Sequence, residues 1–501
     1  MSRRFASSLP SLLMTALAAT PVLSAQQITS AQRSLIDSTV ARLFDLKLAP
    51  GLGIVVVRDT QIVYVKGFGL ADVEAGRPFT PQTVFYVAST TKAFTGLAAA
   101  ILDAQGSFRL DAPLSRYLPG VKLRAPLNPD SITIRSLLTH THGIGEGPVP
   151  MRLAYTGEYR GNDHLIELLA EHQPLPSRAY RYSNTGYNVA TLAMDRVTGE
   201  SWKATLDRLI FKPLGMRNTG ANVSPFPVNR LAMPYRSTPD GFERLPYGKV
   251  DANMQSAGGL VTTLEDEARW LEAQLNQGRV DGRQVLPAAA VRVAQTIHAR
   301  NEQTVRGVQV AGYALGWNVG QYKGDTLFTH GGGFPGFATH ISFMPGRRIA
   351  IVTMANSGDL GSTLTELVAQ AVYDALAGSP PLSGDSLTAL RGLAAQQRAG
   401  IKADRDRRAA RPQTTPLPFT AYAGRYENPV MGSLELTLNA EGKLEARAGA
   451  AWSAVEVFDG TRHQLRVELF GGGSVLTMEV EGERVVAVGM NGVRYQRVRQ
   501  Q

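Results

Sequence analysis

Val87-Ala88-Ser89-Thr90-Thr91-Lys92-Ala93-Phe94 opens an alanine-rich segment of this 501-residue chain. The pattern predicts a helix from about Ser89 to Leu102 that ends near Gly106. Ser89 and Lys92 are three residues apart, so both side chains project from one face of that helix. A serine hydroxyl needs an adjacent base to act as a nucleophile, and a lysine serves as that base only where its pKa is lowered toward neutrality.

Ser-x-x-Lys is a weak signal by itself, because a chain of this length can contain it by chance. The alternative interpretation is a helix cap followed by a surface lysine. Two later motifs favour the catalytic interpretation: Tyr182-Ser183-Asn184, and His330-Gly331-Gly332-Gly333 beside a predicted edge strand.

These three motifs, in this order, resemble the penicillin-recognising serine hydrolases, specifically the class C β-lactamase and D-alanyl-D-alanine carboxypeptidase family. The resemblance extends from about Leu35 to about Leu376. Segments 132–141, 256–263 and 333–337 are also similar to family segments. The run from Tyr422 to Tyr426 resembles the start of a lipocalin-like C-terminal domain that is often appended to such proteins.

The resemblance implies a role for each residue of the first two motifs. Ser89 would attack a carbonyl carbon and form an acyl-enzyme. Lys92 and Tyr182 would share the proton, with the phenol stabilised as a phenolate beside an ammonium. Asn184 would hold Lys92 and the amide of the substrate.

The third motif implies the remaining substrate contacts. Backbone N–H groups of Ser89 and Gly333 would form the oxyanion hole. His330, Gly331 and Gly332 would bind substrate. His330 stands where β-lactamases of this family usually carry lysine, and Gly331 replaces a hydroxyl residue. An imidazole binds a carboxylate less reliably than an ammonium does, so the sequence argues against β-lactamase activity.

The pattern of apolar residues predicts an α+β fold. Runs at 54–57 and 62–65 predict a hairpin. Late strands are predicted at 313–319, 326–330, 340–344 and 348–354, with a closing helix at 362–376. Strands at both ends of one unit predict an antiparallel sheet flanked by helices. The middle of the chain is predicted to be an all-helical subdomain.

Four segments are predicted along the chain. Residues 1–25 have two arginines, a short apolar stretch and Leu23-Ser24-Ala25, which predicts a cleaved signal peptide and export to the periplasm or outside. A retained membrane anchor is the alternative, but Ser, Thr and Pro interrupt the apolar stretch. Residues 26–378 form the hydrolase domain, and residues 379–418 a proline-rich, charged linker with a short helix at about 387–397. Residues 419–501 form a small antiparallel β-barrel-like domain.

Composition limits the partners. The chain has no Cys and a net charge of +10. Basic residues are mostly scattered, so we expect no nucleic-acid partner, and at most loose association with anionic cell-envelope polymers. No cofactor and no metal are predicted, because His140-Thr141-His142 lacks further ligands. The sequence leaves open whether the protein forms an oligomer.

Two other patterns have simpler interpretations. His330-Gly331-Gly332-Gly333 imitates the oxyanion loop of lipases, but the chain has no Gly-x-Ser-x-Gly elbow. Tyr426-Glu427-Asn428 repeats Tyr-x-Asn inside the predicted β-domain, where we interpret it as structural.

The sequence therefore predicts a serine hydrolase that cleaves an amide or ester bond in a small molecule or peptide. Two alternatives stay open. One is a binding or sensor protein that is acylated without turnover, and the other is a true β-lactamase.

Overall fold

The computed structural model describes residues 27–305, 307–379, 382 and 384–498. The predicted signal peptide, residues 1–25, lies outside these residues. Within them, the N-terminal unit is built on a nine-stranded antiparallel sheet. Its strands, in spatial order, are Ala299–Val305, Val308–Tyr313, Asn318–Tyr322, Asp325–Phe334, Phe337–Met344, Ile349–Ala355, Gly51–Arg58, Gln61–Asp72 and Arg77–Pro78.

The strand Gly51–Arg58 shows how this sheet separates two hydrophobic cores. Val55 and Val57 face one core, whereas Ile54 and Val56 face the other. Alternate side chains of a strand point to opposite faces, so a run of β-branched residues fits only a strand that is covered on both sides. The hairpin predicted from this run is confirmed, with Gly51–Arg58 paired to Gln61–Asp72.

Helices cover both faces of the sheet and fill the middle of the chain. Ser30–Phe44 and Gly361–Leu376 pack in one core, and Leu264–Leu275 packs in the other. The other α-helices are Thr91–Ala104, Leu114–Tyr117, Ile134–Leu138, Pro148–Pro150, Gly161–Glu167, Asn184–Thr198, Trp202–Leu206, Lys212–Leu214, Ala288–Ala294, Gly384–Ala409 and Phe419–Tyr422. The α+β prediction, with its helical subdomain, is confirmed.

Short elements complete the N-terminal unit. There are π-helical segments at Met151–Thr156 and Asp207–Phe211. The 3-10 turns are Ala88–Thr90, Leu168–Glu171, Val228–Arg230 and Pro345–Arg347. Small strand pairs join Phe85–Tyr86 to Val261–Thr262, Tyr235–Ser237 to Phe242–Arg244, and Arg279–Val280 to Arg283–Gln284.

One strand prediction is wrong. The segment predicted as a single strand at 313–319 is instead the end of Val308–Tyr313, a turn, and the start of Asn318–Tyr322. Gly316 makes the turn with a φ of +89°, and a Cβ there would lie 2.4 Å from the Cα of Ala93. The glycine therefore lets this turn press against the helix that follows Ser89.

The C-terminal unit is a second nine-stranded antiparallel sheet, nearly closed into a barrel. Its first and last strands in spatial order, Ala451–Ala454 and Glu456–Asp459, are separated in the chain by Val455 alone. The strands between them are Leu444–Ala448, Gly432–Leu438, Gly424–Asn428, Val493–Arg497, Arg484–Met490, Ser474–Glu481 and Gln464–Val467, with a 3-10 turn at Gly460–Arg462. The predicted barrel-like domain is confirmed.

The helix predicted inside the linker is longer than expected. It covers Gly384–Ala409, where the sequence predicted only about 387–397. Lys402 pairs with Asp406 one turn later, and the guanidinium of Arg408 bonds Glu456 of the C-terminal sheet. These ion pairs support a helix that buries only Leu387 and Ala394, which apolar periodicity cannot reveal.

In the described part of the chain, none of the helices is both long enough and apolar enough to cross a bilayer.

Candidate active site

Ser89 lies in a tight turn at the start of the helix Thr91–Ala104. The turn is a 3-10 segment, Ala88–Thr90, and Ala88 adopts a left-handed φ of +50°. A non-glycine residue in that region is strained and persists only where its surroundings hold it. The backbone N–H of Val87 donates to the carbonyl of Leu260 at 3.0 Å and fixes the entry to the turn.

Lys92 is fully buried directly behind the serine. Its Nζ lies 3.1 Å from Ser89 Oγ, 2.9 Å from Asn184 Oδ1 and 2.6 Å from the carbonyl oxygen of Ala257. Burial lowers the pKa of Lys92 to about 7. The neutral amine is therefore available at neutral pH.

The neutral amine fits this set of neighbours. Asn184 Oδ1 and the Ala257 carbonyl only accept, so they take the two N–H donors of the amine. The lone pair of the nitrogen is then left for the hydroxyl proton of Ser89. This geometry would suit a nucleophile beside a general base.

Tyr182 is a neighbour of both Ser89 and Lys92. It is 42% exposed, and its hydroxyl interacts electrostatically with that of Ser89. Lys92 Nζ lies 4.9 Å from the centre of the Tyr182 ring. Desolvation of the hydroxyl raises the pKa of Tyr182 above its ordinary value.

The protonation of this pair differs from the sequence-based expectation of a phenolate beside an ammonium. Burial disfavours the charged form of both groups, because it lowers the pKa of Lys92 and raises the pKa of Tyr182. Burial therefore favours a neutral amine beside a neutral phenol over the expected ammonium and phenolate.

Asn184 begins the helix Asn184–Thr198, and this helix start has a carboxylate that the sequence analysis missed. Glu146 Oε1 accepts from the backbone N–H of Asn184 at 2.7 Å. A carboxylate at a helix N-terminus is electrostatically favourable. The charge of Glu146 also raises the pKa of Lys92, opposing part of the effect of burial. No spacing rule connects Glu146 to the motif, since it comes 38 residues earlier.

The strand Asp325–Phe334 presses against the serine turn. A Cβ on Gly332 would lie 2.2 Å from the carbonyl oxygen of Val87, whereas a Cβ on Gly331 would meet nothing within 4 Å. Gly333 and Ser89 line one cavity. The predicted oxyanion donors thus border the same space, and Gly332 sets how closely the strand approaches.

His330 has both ring nitrogens engaged. The Tyr313 hydroxyl lies 3.1 Å from His330 Nε2, and His330 Nδ1 lies 2.7 Å from the carbonyl oxygen of Gly331. Burial and the charge of Lys92 lower the pKa of His330 to about 3, so the ring is neutral. For a direct contact with substrate, as the sequence predicted, one of these two bonds would have to open.

His140 is a second residue that sequence reasoning did not connect to the site. Its Nδ1 accepts from the backbone N–H of Ser183 at 3.1 Å, and its ring lies 4.5 Å from that of Tyr182. His142 is also buried, and its Nδ1 accepts from the N–H of Ile144. No group of three or more metal-binding side chains is found in the part of the chain that the structure describes.

A cavity of about 80 Å³ lies beside Ser89. Its wall also contains Ala154 and Tyr155 from the segment Met151–Thr156, and Phe334. A larger cleft of about 860 Å³ lies between the two units, but its lining contains no residue of the three motifs.

The C-terminal unit contacts the wall of the small cavity. The ring of Phe470 lies 5.3 Å from that of Tyr155, and the N–H of Ala450 donates to the carbonyl of Thr156 at 2.8 Å. The Arg152 guanidinium donates to the carbonyl of Val430 at 3.1 Å. The barrel therefore supports the segment that forms one side of the cavity.

This chain is similar in sequence to hydrolase-family proteins and similar in structure to solved proteins of the same fold. Unguisins hydrolase ungD of Aspergillus violaceofuscus is 28% identical over 433 residues, which cover 79% of this chain and 75% of that protein. The protein Flp of Staphylococcus aureus is 26% identical over 336 residues, covering 66% and 64%. The octameric penicillin-binding protein homologue from Pyrococcus abyssi superimposes with a TM-score of 0.59 at 21% identity, covering 92% of this chain and 99% of that one.

EstCE1, described as a hydrolase with promiscuous acyltransferase activity, also has a TM-score of 0.59 at 21% identity, over 69% of this chain and 98% of its own. At this identity the structures show a shared fold. The β-lactamase family model matches residues 37–373, which is most of the chain. The chain belongs to the β-lactamase family.

Proposed function

We propose that this member of the β-lactamase family hydrolyses an amide or ester bond through a covalent acyl-enzyme on Ser89. The observation that carries the proposal is the placement of Lys92 Nζ 3.1 Å from Ser89 Oγ, with its other neighbours both acceptors. The name of the unguisins hydrolase gives independent support for hydrolytic chemistry.

Acylation starts from the neutral pair. Lys92 takes the proton of Ser89 as Oγ attacks the carbonyl carbon and a tetrahedral oxyanion forms. The N–H groups of Ser89 and Gly333 would stabilise that oxyanion, and each such donor contributes about 3 to 4 kcal/mol to transition-state stabilisation.

Collapse of the intermediate needs an acid for the leaving group. Tyr182, with its hydroxyl beside Ser89, donates its proton to the departing nitrogen or oxygen, and the ammonium of Lys92 then reprotonates the phenolate. Water attacks the acyl-enzyme by the same path in reverse, which releases the acid and restores Ser89.

The substrate proposed is an amide or ester of a small molecule or peptide. A true β-lactamase is less well supported, because His330 is neutral and both its ring nitrogens are engaged. No ammonium therefore stands at this position for the carboxylate of a β-lactam.

Export to the periplasm or outside is also proposed, on the basis of Arg3, Arg4 and the apolar stretch that follows. Loose association with anionic envelope polymers is supported by the net charge of +10. An oligomer is proposed because the Pyrococcus abyssi homologue is octameric. Light scattering on the purified protein would test the oligomer.

Burst kinetics with a p-nitrophenyl ester test the proposed function. We expect one equivalent of p-nitrophenol per protein in a fast phase, followed by steady turnover. A burst without turnover would favour the acylated sensor, and rapid nitrocefin hydrolysis would favour the β-lactamase. The control is Ser89→Ala, which should lose both phases but keep the fold, since the Ser89 side chain does not cap the turn or the helix that follows. Full activity in that variant would overturn the proposal.

A further inference from the structure

His140 stands at a position where the backbone favours glycine. The short helix Ile134–Leu138 ends in a Schellman-type turn, in which the N–H of Thr141 donates to the carbonyl of Ser136 at 3.0 Å. His140 is the residue of this turn with a left-handed backbone, at a φ of +61°. Glycine, or less often asparagine, usually occupies that place, because a larger side chain is strained there. The strain of a histidine here must be offset by contacts of its side chain.

Two atoms of His140 hold the backbone on either side of Tyr182. The His140 carbonyl accepts from the N–H of Arg181 at 2.9 Å, and His140 Nδ1 accepts from the N–H of Ser183 at 3.1 Å. The centre of the imidazole ring also lies 4.5 Å from the centre of the Tyr182 ring. His140 therefore contacts the tyrosine and both of its neighbours in the chain.

The imidazole can hold Ser183 in only one protonation state. Nδ1 accepts a hydrogen bond only when it carries no proton, so the neutral ring must carry its proton on Nε2. Burial and the charge of Lys92 lower the pKa of His140 well below its ordinary value, so the ring is neutral at neutral pH. His140 Nε2 has no hydrogen-bond partner among the described residues. The bond from Ser183 is therefore the hydrogen bond that orients the ring.

The segment around Tyr182 depends on this bond. Ser183 is 3% exposed and caps the helix Asn184–Thr198, so its N–H is a buried donor whose acceptor is the imidazole. Tyr182 itself is 42% exposed, so packing holds it less firmly than a core residue. A buried N–H without an acceptor is unfavourable, and the chain would shift to pair it with another group. A displacement of about 1 Å near a reacting group can lower a rate by about a hundredfold.

We propose that His140 is a positioning residue for Tyr182: its carbonyl and its Nδ1 hold residues 181 and 183 so that the Tyr182 hydroxyl stays beside Ser89. The inference rests on the proposed function, in which Tyr182 protonates the leaving group. It contains two claims that experiments can separate. The first is that an acceptor at the position of Nδ1 is required, and the second is that the effect of His140 passes through the Tyr182 hydroxyl.

Three substitutions test the acceptor. His140→Asn suits the left-handed backbone and keeps an acceptor, Oδ1, near the position of Nδ1. His140→Gly suits the backbone, and His140→Phe fills the space of the ring, but both lack the acceptor. With phenyl acetate as substrate, we expect kcat/KM to fall roughly tenfold to a hundredfold in the Gly and Phe variants and by less than about fivefold in the Asn variant. The losses should be smaller with p-nitrophenyl acetate, whose leaving group is less basic and needs less help from an acid.

A Tyr182→Phe background tests the second claim. Groups that act as a unit are not additive, so adding His140→Gly to Tyr182→Phe should lower kcat/KM by less than about threefold. His142→Ala is the matched control. His142 is equally buried, and its Nδ1 also accepts a backbone N–H, but from Ile144 at 3.0 Å. We expect His142→Ala to change kcat/KM by the same factor with and without the Tyr182 hydroxyl.

The tautomer of His140 is measured in the wild-type protein. In ¹⁵N-labelled protein at neutral pH, the His140 ring should carry its proton on Nε2, and its signals are assigned by their loss in His140→Asn. A proton on Nδ1 would overturn the proposal, because that nitrogen could not accept from Ser183. This measurement tests the acceptor even if His140→Gly and His140→Phe fail to fold, which circular dichroism would show.

The outcomes separate the positioning role from the proposed function. If a fluorophosphonate labels Ser89 and esters turn over, but His140→Gly and His140→Phe keep the wild-type kcat/KM, the positioning role is overturned while the proposed function stands. The role is also overturned if His140→Asn loses as much activity as His140→Gly, or if His140→Gly causes the same loss with and without the Tyr182 hydroxyl. Absence of both labelling and turnover in the wild type overturns the proposed function and the positioning role with it.

Discussion

Lys92 and Lys249 have similar acidity in very different surroundings. Desolvation lowers the pKa of each to about 7. Lys92 is fully buried and lies 3.1 Å from Ser89 Oγ, whereas Lys249 is half-buried and donates to the carbonyls of Val250 and Asn253. A lowered pKa allows a lysine to act as a base. It can do so only if a group that can give up a proton lies beside it, as the Ser89 hydroxyl does beside Lys92.

The two lysines also differ in how many elements of the fold hold their side chains. Lys92 is held by a helix, by Asn184 on a second helix and by the Ala257 carbonyl on a loop. Lys249 is held by carbonyls one and four residues further along its own segment. A base that several distant elements hold in place keeps its lone pair aimed at the nucleophile, which is the requirement for general-base catalysis.

Replacing each lysine by methionine should give the largest difference between them. Lys92→Met should lower kcat/KM by about a thousandfold or more, because the proposed nucleophile and base would act as a unit. Lys249→Met should keep kcat/KM within about fivefold of the wild type, since it touches no reacting atom. Ester hydrolysis is the measurement, with circular dichroism as the check on folding. Equal losses in the two variants would remove the distinction.

Tyr182 is a further difference between the two lysines, because its ring lies 4.9 Å from Lys92 Nζ. Tyr182→Phe removes the proposed proton donor but keeps the ring, so kcat/KM for an amide should fall by about a hundredfold or more. An ester with a good leaving group, such as p-nitrophenolate, should lose less. The two substrates measured side by side test this difference, and an identical loss for both would argue against a role in leaving-group protonation.

The sequence predicted the parts of this site that lie close together in the chain. Ser89 and Lys92 follow from helical spacing, and the hairpin at 51–72 follows from β-branched runs. Only the resemblance to a family predicted the roles of Tyr182, Asn184 and Gly333. These residues come about 90 to 240 positions after Ser89 in the sequence, and the fold brings them to it.

Two other groups that contact Lys92 or Asn184 could not be found from the sequence. The Ala257 carbonyl is a backbone group, and Glu146 reaches the helix start from a loop. The break at Gly316 was missed because apolar residues on both sides of the turn read as one strand. In the C-terminal domain, by contrast, almost all strand pairs join consecutive strands, so alternating patterns were enough to predict it.

The two neighbouring glycines of the third motif test how the framework positions Ser89. Gly332→Ala would place a Cβ 2.2 Å from the Val87 carbonyl and push the strand away from the serine turn. We expect kcat/KM to fall by roughly tenfold to a hundredfold, because small displacements in an active site are costly. Gly331→Ala is the matched control, since its Cβ meets nothing within 4 Å. Comparable activity of the two variants would contradict this reading of the close approach.

The pH dependence of kcat/KM is the smallest of the expected effects. It tests which of the two lysines titrates near pH 7. If the neutral amine of Lys92 is the active form, activity is lost as pH falls through about 7. At one pH unit below that value, kcat/KM should be about tenfold under its plateau. Tyr182 adds no loss up to pH 9, because its pKa is raised. We expect the Lys249→Met variant to keep the same inflection in its pH profile. Loss of the inflection in that variant would show that Lys249, and not Lys92, titrates near pH 7.

Covalent labelling tests whether Ser89 is a nucleophile that Lys92 activates. The wild-type protein is treated with a fluorophosphonate at pH 8, and the modified residue is located by peptide mass spectrometry. The account predicts one label per chain on Ser89, retained in Lys249→Met and nearly lost in Lys92→Met. A label on another residue, or equal labelling of Ser89 in both lysine variants, would contradict the pairing of this serine with this lysine.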